Sequence, residues 1–181
     1  MVNALLSKTK GSDAMLGGHT AEMLQLVNSL NPTQYTPRTY VVAHSDLLSE
    51  EKARQFEQHV QKGEFKLVKM ARARHVGQSW LTVPFSVIKG LFSSVQILIS
   101  SWPDVIICNG PGSCIPICIL SYLPRIFLVK KMEIIYIESF ARVYNLSLTG
   151  KLLYPFVDRF LVQWPELSNR LQRAEYRGIL V

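Results

Sequence analysis

Short apolar runs alternate along the chain with longer stretches in which apolar residues recur every three or four positions. Two of the short runs, Val105–Ile107 and Ile134–Ile137, are apolar throughout and rich in β-branched residues. Uninterrupted apolar runs are typical of strands that are covered on both faces. Their alternation with helical stretches predicts an α/β fold in which helices cover both faces of a parallel sheet.

The pattern places the strands and helices in one domain. The predicted strands are Thr39–Ala43, Phe65–Lys69, Asp104–Cys108, Glu133–Ile137 and Arg159–Gln163. The predicted helices are Thr20–Leu30, Leu47–Gln61, Val83–Ser100, Ile115–Leu123, Thr149–Phe156 and Pro165–Arg173. A first strand should precede the first glycine loop, but the polar run Lys8–Asp13 leaves only Ala14–Leu16 for it. We therefore expect an atypical segment over residues 1–13, with the first strand very short or missing, and a single domain over residues 14–181.

The charge of the chain is concentrated in its middle. The 181 residues include 20 basic and 13 acidic side chains, a net charge of +7. Residues 65–132 hold eight basic residues and one acidic residue, so this segment alone accounts for 8 − 1 = +7. Such an excess favours an anionic partner, for which a phosphorylated substrate, a lipid surface and a nucleic acid are the candidates. The spacing of basic and aromatic residues matches no nucleic-acid-binding module, so we expect no nucleic acid.

The cysteines indicate a reducing environment. Cys108, Cys114 and Cys118 form no CxxC pair, and their odd number fits neither a disulfide framework nor a zinc site. Cys114 and Cys118 lie four residues apart, on one face of a helix, and we expect them to be buried apolar side chains rather than metal ligands. We expect no metal site.

One stretch combines basic residues with aromatic ones next to an apolar helix. It contains Arg72, Arg74 and Trp80 and leads into Leu81–Trp102, which Pro84 and several polar residues interrupt. This stretch favours a buried or interfacial helix over a membrane span. Arginines beside tryptophan rings suit an anionic membrane interface, although a solvated basic loop explains them equally well.

The first glycine loop opens the first helix. Gly17 and Gly18 allow a ligand to approach the backbone, and the free N–H groups at a helix start favour a phosphate. A neutral His19 next to them is a candidate general base. A plain turn in which Thr20 caps the helix is the alternative.

A second glycine loop follows the most apolar strand. It consists of Asn109, Gly110, Gly112 and Ser113, with a proline between the glycines. Ligands of open α/β sheets bind beyond the carboxyl ends of the strands, so we expect this loop to share one crevice with the first. The pair of loops favours a phosphate-recognising site.

Two further segments carry candidate functional residues. Glu138, Ser139 and Arg142 follow a third strand, where the carboxylate can accept hydrogen bonds from a sugar or orient His19 and the guanidinium can bind a diphosphate. A local ion pair between Glu138 and Arg142 is the alternative. The apolar tail at the C-terminus is either tucked into the sheet or docked on a partner. It consists of Gly178, Ile179, Leu180 and Val181.

Several of these segments together resemble the Alg14 family. They are GGHT (Gly17–Thr20), PRTYVVA (Pro37–Ala43), QSW (Gln78–Trp80), PDVIICNGPGSCIPIC (Pro103–Cys118), IIYIESFARV (Ile134–Val143), SLTGKLLY (Ser147–Tyr154) and QWPELSNR (Gln163–Arg170). The resemblance extends from about Leu16 to Val181. NGPGxCxPxC and ESxxRV are its most specific motifs.

The resemblance implies a subunit of the UDP-N-acetylglucosamine transferase that adds the second N-acetylglucosamine to N-acetylglucosaminyl-diphosphodolichol. The chain would be the Rossmann-like, N-terminal lobe of a GT-B glycosyltransferase, and it would bind the acceptor without a cofactor. A separate catalytic subunit would bind UDP-GlcNAc and form a hetero-oligomer with this chain, partly through the C-terminal tail. The implied location is the cytosolic face of the endoplasmic reticulum membrane.

The resemblance also implies roles for residues that match the family motifs. His19, or with less support Glu138, would deprotonate the acceptor hydroxyl, which attacks the anomeric carbon with inversion. The implied acceptor and diphosphate contacts are Gly17, Gly18, Thr20, Asn109, Gly110, Gly112, Ser113, Ser139 and Arg142. Family members normally begin with a membrane-spanning helix and a full first strand, which Met1–Asp13 does not match.

Other functions remain as alternatives. The chain can be a non-catalytic membrane scaffold for the catalytic subunit, or an inactive truncated isoform. A free-standing nucleotide-binding oxidoreductase is less well supported, because GGHT lacks the GxGxxG spacing, although Asp46 follows the next strand.

Overall fold

The described residues form an eight-stranded sheet between two layers of helices. A computed structural model describes residues 4–6, 13–17, 20–44, 46–70, 83–110 and 112–178. The strands are β1 (Ala4–Leu6), β2 (Asp13–Gly17), β3 (Arg38–Ala43), β4 (Phe65–Met70), β5 (Val105–Asn109), β6 (Glu133–Ile137), β7 (Arg159–Val162) and β8 (Ala174–Tyr176). The helices are α1 (Thr20–Asn28), α2 (Leu47–Val60), α3 (Val83–Ser101), α4 (Cys114–Ile126), α5 (Leu148–Leu153) and α6 (Pro165–Ser168).

The strand order places the two glycine loops side by side. The order is β4-β3-β2-β1-β5-β6-β7-β8, and β2 also pairs directly with β5. All pairs are parallel except those of β1, which runs antiparallel to β2 and β5. In the parallel register of β2 and β5, Gly17 lies opposite Asn109. Their carboxyl ends therefore meet at one edge of the sheet, as the predicted crevice requires.

Alternate residues of the strands enter two separate cores. Val41, Ile106 and Cys108 pack with α3, α4 and α5, whereas Val42 and Ile107 pack with α1 and α2. The uninterrupted apolar runs arise because both faces of these strands are covered. The predicted α/β fold with helices on both faces is confirmed.

The first strand is present, and the short strand predicted at Ala14–Leu16 lies within it, so the alternative that this strand is missing is wrong. β2 occupies Asp13–Gly17 and pairs with β5 over four residues, from Ala14 to Gly17. Only three of its residues are apolar, so it lacks the strand signal of β5 in the sequence. Its pairing with β3 and β5 places it in the sheet, and β1 adds a further strand within the segment expected to be atypical.

The predicted C-terminal helix is also too long. α6 ends at Ser168 instead of Arg173, and residues 174–176 form the edge strand β8 beside β7. Hydrogen bonds stabilise the turn between them: for example, the Ala174 N–H donates to the Leu171 carbonyl, and the Ser168 hydroxyl donates to the Ala174 carbonyl. The open edge of β7 provides backbone partners that the local sequence does not reveal. The predicted helix Thr149–Phe156 likewise ends earlier, at Leu153.

The cysteines lie in the larger core. Cys108, Cys114 and Cys118 are free thiols and fully buried, and the sulfur atoms of Cys108 and Cys118 are 3.5 Å apart. Burial raises the pKa of the Cys108 and Cys114 thiols, so both are neutral at physiological pH. The prediction that these residues are buried apolar side chains is confirmed.

The basic excess of residues 65–132 is partly neutralised by ion pairs. Lys69 pairs with Glu50, Arg125 with Asp158 and Lys130 with Asp104, at 2.6–2.8 Å. Lys66, Lys89 and Lys131 are exposed. Arg72, Arg74 and Trp80 lie outside the described residues.

Within the described residues, no helix combines the length and hydropathy that a membrane crossing requires.

Candidate functional site

Asn109 lies at the centre of the carboxyl edge. It is the last residue of β5 and is completely buried. Its side-chain amide donates a hydrogen bond of 2.8 Å to Oε2 of Glu22, which lies in the first turn of α1. This bond joins the second glycine loop to the helix that the first loop opens. Gly18 and His19, which complete the first loop, lie outside the described residues.

The second glycine loop leads directly into α4. Gly110 adopts a φ of 82°, which other residue types rarely tolerate, and a side chain at Gly112 would meet nothing within 4 Å. Ser113 precedes α4 without forming a side-chain cap, and the first turn of α4 contains no acidic residue. The start of this helix therefore has the positive dipole and the open approach that an anion requires.

Thr20 connects the first loop with α2. Its hydroxyl lies 2.6 Å from the hydroxyl of Ser49, near the start of that helix. Asp46 caps the same helix by accepting a hydrogen bond from the Ser49 N–H. Thr20 thus connects the start of α1 with a neighbouring helix. A plain turn in which Thr20 only caps α1 does not include this contact.

The carboxylate of Glu138 is buried beneath the loop that follows β6. Oε1 accepts a hydrogen bond from the Ser139 N–H at 3.1 Å. Oε2 accepts bonds from the N–H and the hydroxyl of Ser147, at 3.0 and 3.1 Å. Within the described residues, Glu138 forms no ion pair with Arg142, which is exposed. Glu138 is therefore held by hydrogen bonds from its own loop, and the alternative of an ion pair with Arg142 is wrong.

Ser147 organises the residues around this carboxylate. Its hydroxyl caps α5 by accepting the Gly150 N–H at 2.9 Å, while it donates to Glu138. Because a hydroxyl has a single hydrogen, the Tyr136 hydroxyl must donate the 3.1 Å bond to Ser147. Burial, and next the charge of Glu138, raise the pKa of Tyr136 well above that of a free tyrosine.

The space around Glu138 requires glycine at position 150. A Cβ atom there would overlap Oε2 of Glu138 and would lie 3.1 Å from the Ser147 hydroxyl. Ser147 and Gly150 belong to the SLTGKLLY motif, but neither was predicted to be a site residue. The sequence contains no signal for them, because their role depends on the position of Glu138.

Two aromatic residues connect the loops that follow β6 and β7. Phe140 and Trp164 pack with ring centres 4.9 Å apart, and the Trp164 ring N–H donates to the Phe140 carbonyl at 2.6 Å. Gln163, which is buried, donates to the Glu138 carbonyl at 3.2 Å. Ser139 is also buried, so its side chain belongs to the wall of this loop.

The C-terminal tail begins beyond the edge strand β8. Gly178 follows that strand with a φ of 87° and has open space around its Cα atom. Ile179, Leu180 and Val181 lie outside the described residues.

Comparison with known proteins identifies relatives over most of the chain. The family model described as "Oligosaccharide biosynthesis protein Alg14 like" matches residues 11–180. The chain is 50% identical to UDP-N-acetylglucosamine transferase subunit alg14 of Schizosaccharomyces pombe, a match that covers 91% of this chain and 79% of that protein. It is 41% and 37% identical to the subunits called ALG14 in Rattus norvegicus and Homo sapiens, with the same coverage.

The fold resembles part of a larger solved protein. The crystal structure of MurG from Acinetobacter baumannii matches with a TM-score of 0.59 at 14% sequence identity. The match covers 88% of this chain and 42% of the MurG chain. At this identity the similarity indicates the fold alone, and it agrees with the predicted Rossmann-like half of a GT-B glycosyltransferase.

Proposed function

Because this chain belongs to the Alg14 family, we propose that it is the acceptor-side subunit of a UDP-N-acetylglucosamine transferase. The joint reaction adds the second N-acetylglucosamine to N-acetylglucosaminyl-diphosphodolichol. The main support is a relative that is 50% identical over 91% of this chain and is called a UDP-N-acetylglucosamine transferase subunit. The family membership predicted from the sequence motifs is thereby confirmed.

The glycine loops bind the acceptor diphosphate in this proposal. Gly110, Gly112 and Ser113 belong to the loop that leads into α4, and the dipole at the start of that helix favours an anion. The first loop, with Gly17, Gly18 and Thr20, provides the other side. The pairing of Gly17 with Asn109 supports this arrangement, because it brings the two loops together.

His19 is the proposed general base. It accepts the proton of the acceptor hydroxyl as that oxygen attacks the anomeric carbon of UDP-GlcNAc and UDP leaves. Glu138 is the alternative base. Its two oxygens already accept three hydrogen bonds from Ser139 and Ser147, which favours His19. Ser139 and Arg142 then contact the acceptor from the loop after β6.

A catalytic partner subunit supplies the UDP-GlcNAc site. We propose that Gly178, Ile179, Leu180 and Val181 bind this partner. The support is their position after β8 at the edge of the sheet, where Tyr176 is also exposed. The two chains together would form the complete glycosyltransferase.

Co-purification with the catalytic subunit tests the function. The purified pair should transfer N-acetylglucosamine from UDP-GlcNAc to a short-chain N-acetylglucosaminyl diphospholipid, whereas neither chain should do so alone. Transfer by the partner alone would reject a role for this chain in the reaction. A His19→Ala variant should lower turnover by about 100-fold or more without changing subunit binding. Full activity of that variant would favour the non-catalytic scaffold.

The proposed location is the cytosolic face of the endoplasmic reticulum membrane, with α3 and α4 against the lipid. The outer face of α3 carries three apolar residues, each 62–69% exposed: Ile88, Phe92 and Ile99. The end of α4 leads into Phe127–Val129, where Leu128 is 93% exposed. Lys89 is exposed next to these side chains. Apolar side chains beside cations suit an anionic lipid surface, to which Arg72, Arg74 and Trp80 would add.

Vesicle binding tests this surface. The chain should bind phosphatidylserine-containing vesicles, and added salt should weaken the binding by screening. Phe92→Glu should weaken it by about tenfold or more, because a buried phenylalanine contributes about 1.5–3 kcal/mol. Leu48→Glu is the matched control, since Leu48 is equally exposed, at 67%, on the opposite face of the sheet. Equal binding by the two variants would reject the proposed surface.

A further inference from the structure

The orientation of the Asn109 amide is determined by its neighbour. Its NH₂ group lies 2.8 Å from Oε2 of Glu22. An ionised carboxylate accepts hydrogen bonds and donates none, so the NH₂ group must face Glu22. The amide oxygen Oδ1 must consequently point away from that carboxylate.

Among the residues that the structure describes, Oδ1 of Asn109 has no hydrogen-bond donor. The atom is buried, and the whole residue is inaccessible to solvent. A buried acceptor without a donor destabilises the folded protein, because it has lost its hydrogen bonds to water. Such a group is normally satisfied by a bound water or a ligand. Its position between the two glycine loops makes a ligand the better explanation.

The chemistry of Oδ1 restricts the ligand group that it can bind. A deprotonated phosphate oxygen is itself an acceptor and forms no hydrogen bond with an amide oxygen. The partner of Oδ1 is therefore a neutral O–H or N–H donor.

We propose that the Asn109 side chain accepts a hydrogen bond from the acetamido N–H of the acceptor sugar or from one of its hydroxyls other than the attacking one. This inference rests on the proposed function and divides the second glycine loop into two parts. The backbone N–H groups after Asn109 bind the diphosphate, whereas the Asn109 side chain recognises the sugar. Glu22 is a positioning residue, because it holds the amide in the orientation that presents Oδ1.

Acceptor analogues that lack one donor each provide the test. The assay uses the two-subunit enzyme with the short-chain N-acetylglucosaminyl diphospholipid and three analogues of it. The analogues lack the 2-acetamido group, the 3-hydroxyl or the 6-hydroxyl. In the unmodified enzyme, one analogue should lose about tenfold in kcat/KM, the loss expected when a buried acceptor stays unsatisfied. The affected analogue identifies the donor. Equal kcat/KM for all four acceptors would overturn the inference without touching the proposed function.

Variants then assign this loss to Asn109. Asn109→Leu should lower kcat/KM for the natural acceptor by about tenfold and show no further loss with the affected analogue. Glu22→Ala should reduce the difference in kcat/KM between the natural acceptor and the affected analogue, but by less than Asn109→Leu does. Thr39→Val is the control, because Thr39 Oγ1 is also buried without a partner but lies at the opposite end of its strand. Thr39→Val should keep the full difference in kcat/KM between the natural acceptor and the affected analogue.

The remaining outcomes separate the inference from the function. If Asn109→Leu discriminates among the acceptors as the unmodified enzyme does, Oδ1 binds only water and the inference is wrong. If the unmodified pair transfers no sugar to any acceptor, the proposed function fails and the inference fails with it.

Discussion

Two buried glutamates, Glu57 and Glu138, differ in the partners that bind their carboxylates. Glu57 lies in α2 and binds Arg38 through two hydrogen bonds of 2.6 and 2.7 Å, and it also accepts the Tyr40 hydroxyl. Glu138 follows β6 and is satisfied by the N–H groups and the hydroxyl of its own loop. Within the described residues, Glu57 has a cationic partner and Glu138 has none. The same residue type therefore forms an ion pair at one end of the sheet and orders a loop at the other.

The difference indicates which end of the sheet serves stability and which serves binding. Burial alone would lower the pKa of Arg38, but the Glu57 carboxylate outweighs this effect and raises it. Arg38 also donates to the carbonyls of Pro32, Tyr35 and Lys62, so this cluster has no donor to spare for a ligand. At the carboxyl end, the buried Oδ1 of Asn109 lacks a donor within the described part of the chain.

The largest expected effect is the loss of the Glu57 cluster. Glu57→Ala leaves the buried guanidinium of Arg38 without a counter-charge, which should lower the free energy of unfolding by about 3–5 kcal/mol. Urea unfolding followed by circular dichroism measures this loss. Transfer activity per folded molecule should not change, because the cluster lies at the amino end of β3.

A surface glutamate of the same helix is the control for Glu57. Glu50 binds Lys69 and Arg54, whose side chains are 41% and 51% exposed, so water screens both ion pairs. Glu50→Ala should therefore have a much smaller effect on unfolding than Glu57→Ala. Similar effects of the two substitutions would contradict the assignment of Glu57 to the stability of the fold.

A smaller effect is expected from Gly150→Ala. Alanine normally stabilises a helix by about 1 kcal/mol relative to glycine. Here its Cβ atom would overlap the Glu138 carboxylate, so we expect a destabilisation of about 1–3 kcal/mol and a higher KM for the acceptor. Thermal unfolding and acceptor titration measure the two changes.

A double-mutant cycle sharpens this prediction. Glu138→Ala removes the group that the new Cβ atom meets, so Glu138→Ala combined with Gly150→Ala should destabilise less than the sum of the single changes. Strict additivity, or a gain in stability from Gly150→Ala alone, would show that Gly150 has no steric role.

The smallest effect concerns Glu175, a partly exposed glutamate on β8. Arg159, and next Arg177, lower its pKa from 4.5 to about 2 in the folded protein. A lowered folded-state pKa means that the stabilisation is present above pH 4.5 and is lost as the pH falls towards 2. Since about a third of each of the side chains of Arg159 and Glu175 is exposed, the contribution should remain below about 1 kcal/mol.

Urea unfolding at several pH values tests the Glu175 prediction. Glu175→Gln should flatten the pH dependence of stability between pH 4.5 and 2, whereas stability at pH 7 should fall only slightly. An unchanged slope in this range would show that the ion pair does not contribute.

The strands with two covered faces give the clearest pattern in the sequence. β5 and β6 are buried on both sides, so nearly every residue is apolar and the pattern is unambiguous. β2 has three apolar residues, and β8 consists of Ala174, Glu175 and Tyr176 at the edge of the sheet. Both strands form because neighbouring strands offer hydrogen-bonding partners, which a local pattern cannot show.

The candidate site was predicted in outline. The sequence pointed to the two glycine loops and to Glu138, because glycine runs and charged residues after strands are visible as motifs. It did not reveal Glu22, Ser147 or Gly150. Asn109 is 87 residues from Glu22 in the chain, and only the pairing of β2 with β5 brings α1 to the end of β5.

The amino-acid sequence by itself determined the fold class, the order of most elements, the two glycine loops and the resemblance to the Alg14 family. These properties depend on local patterns of burial and on short motifs. The tertiary structure alone decided which charges are neutralised, which polar atoms are satisfied and which amide orientation is possible. Those properties depend on distances between residues that are far apart in the chain, and hydrogen bonds and ion pairs form only over a few ångströms.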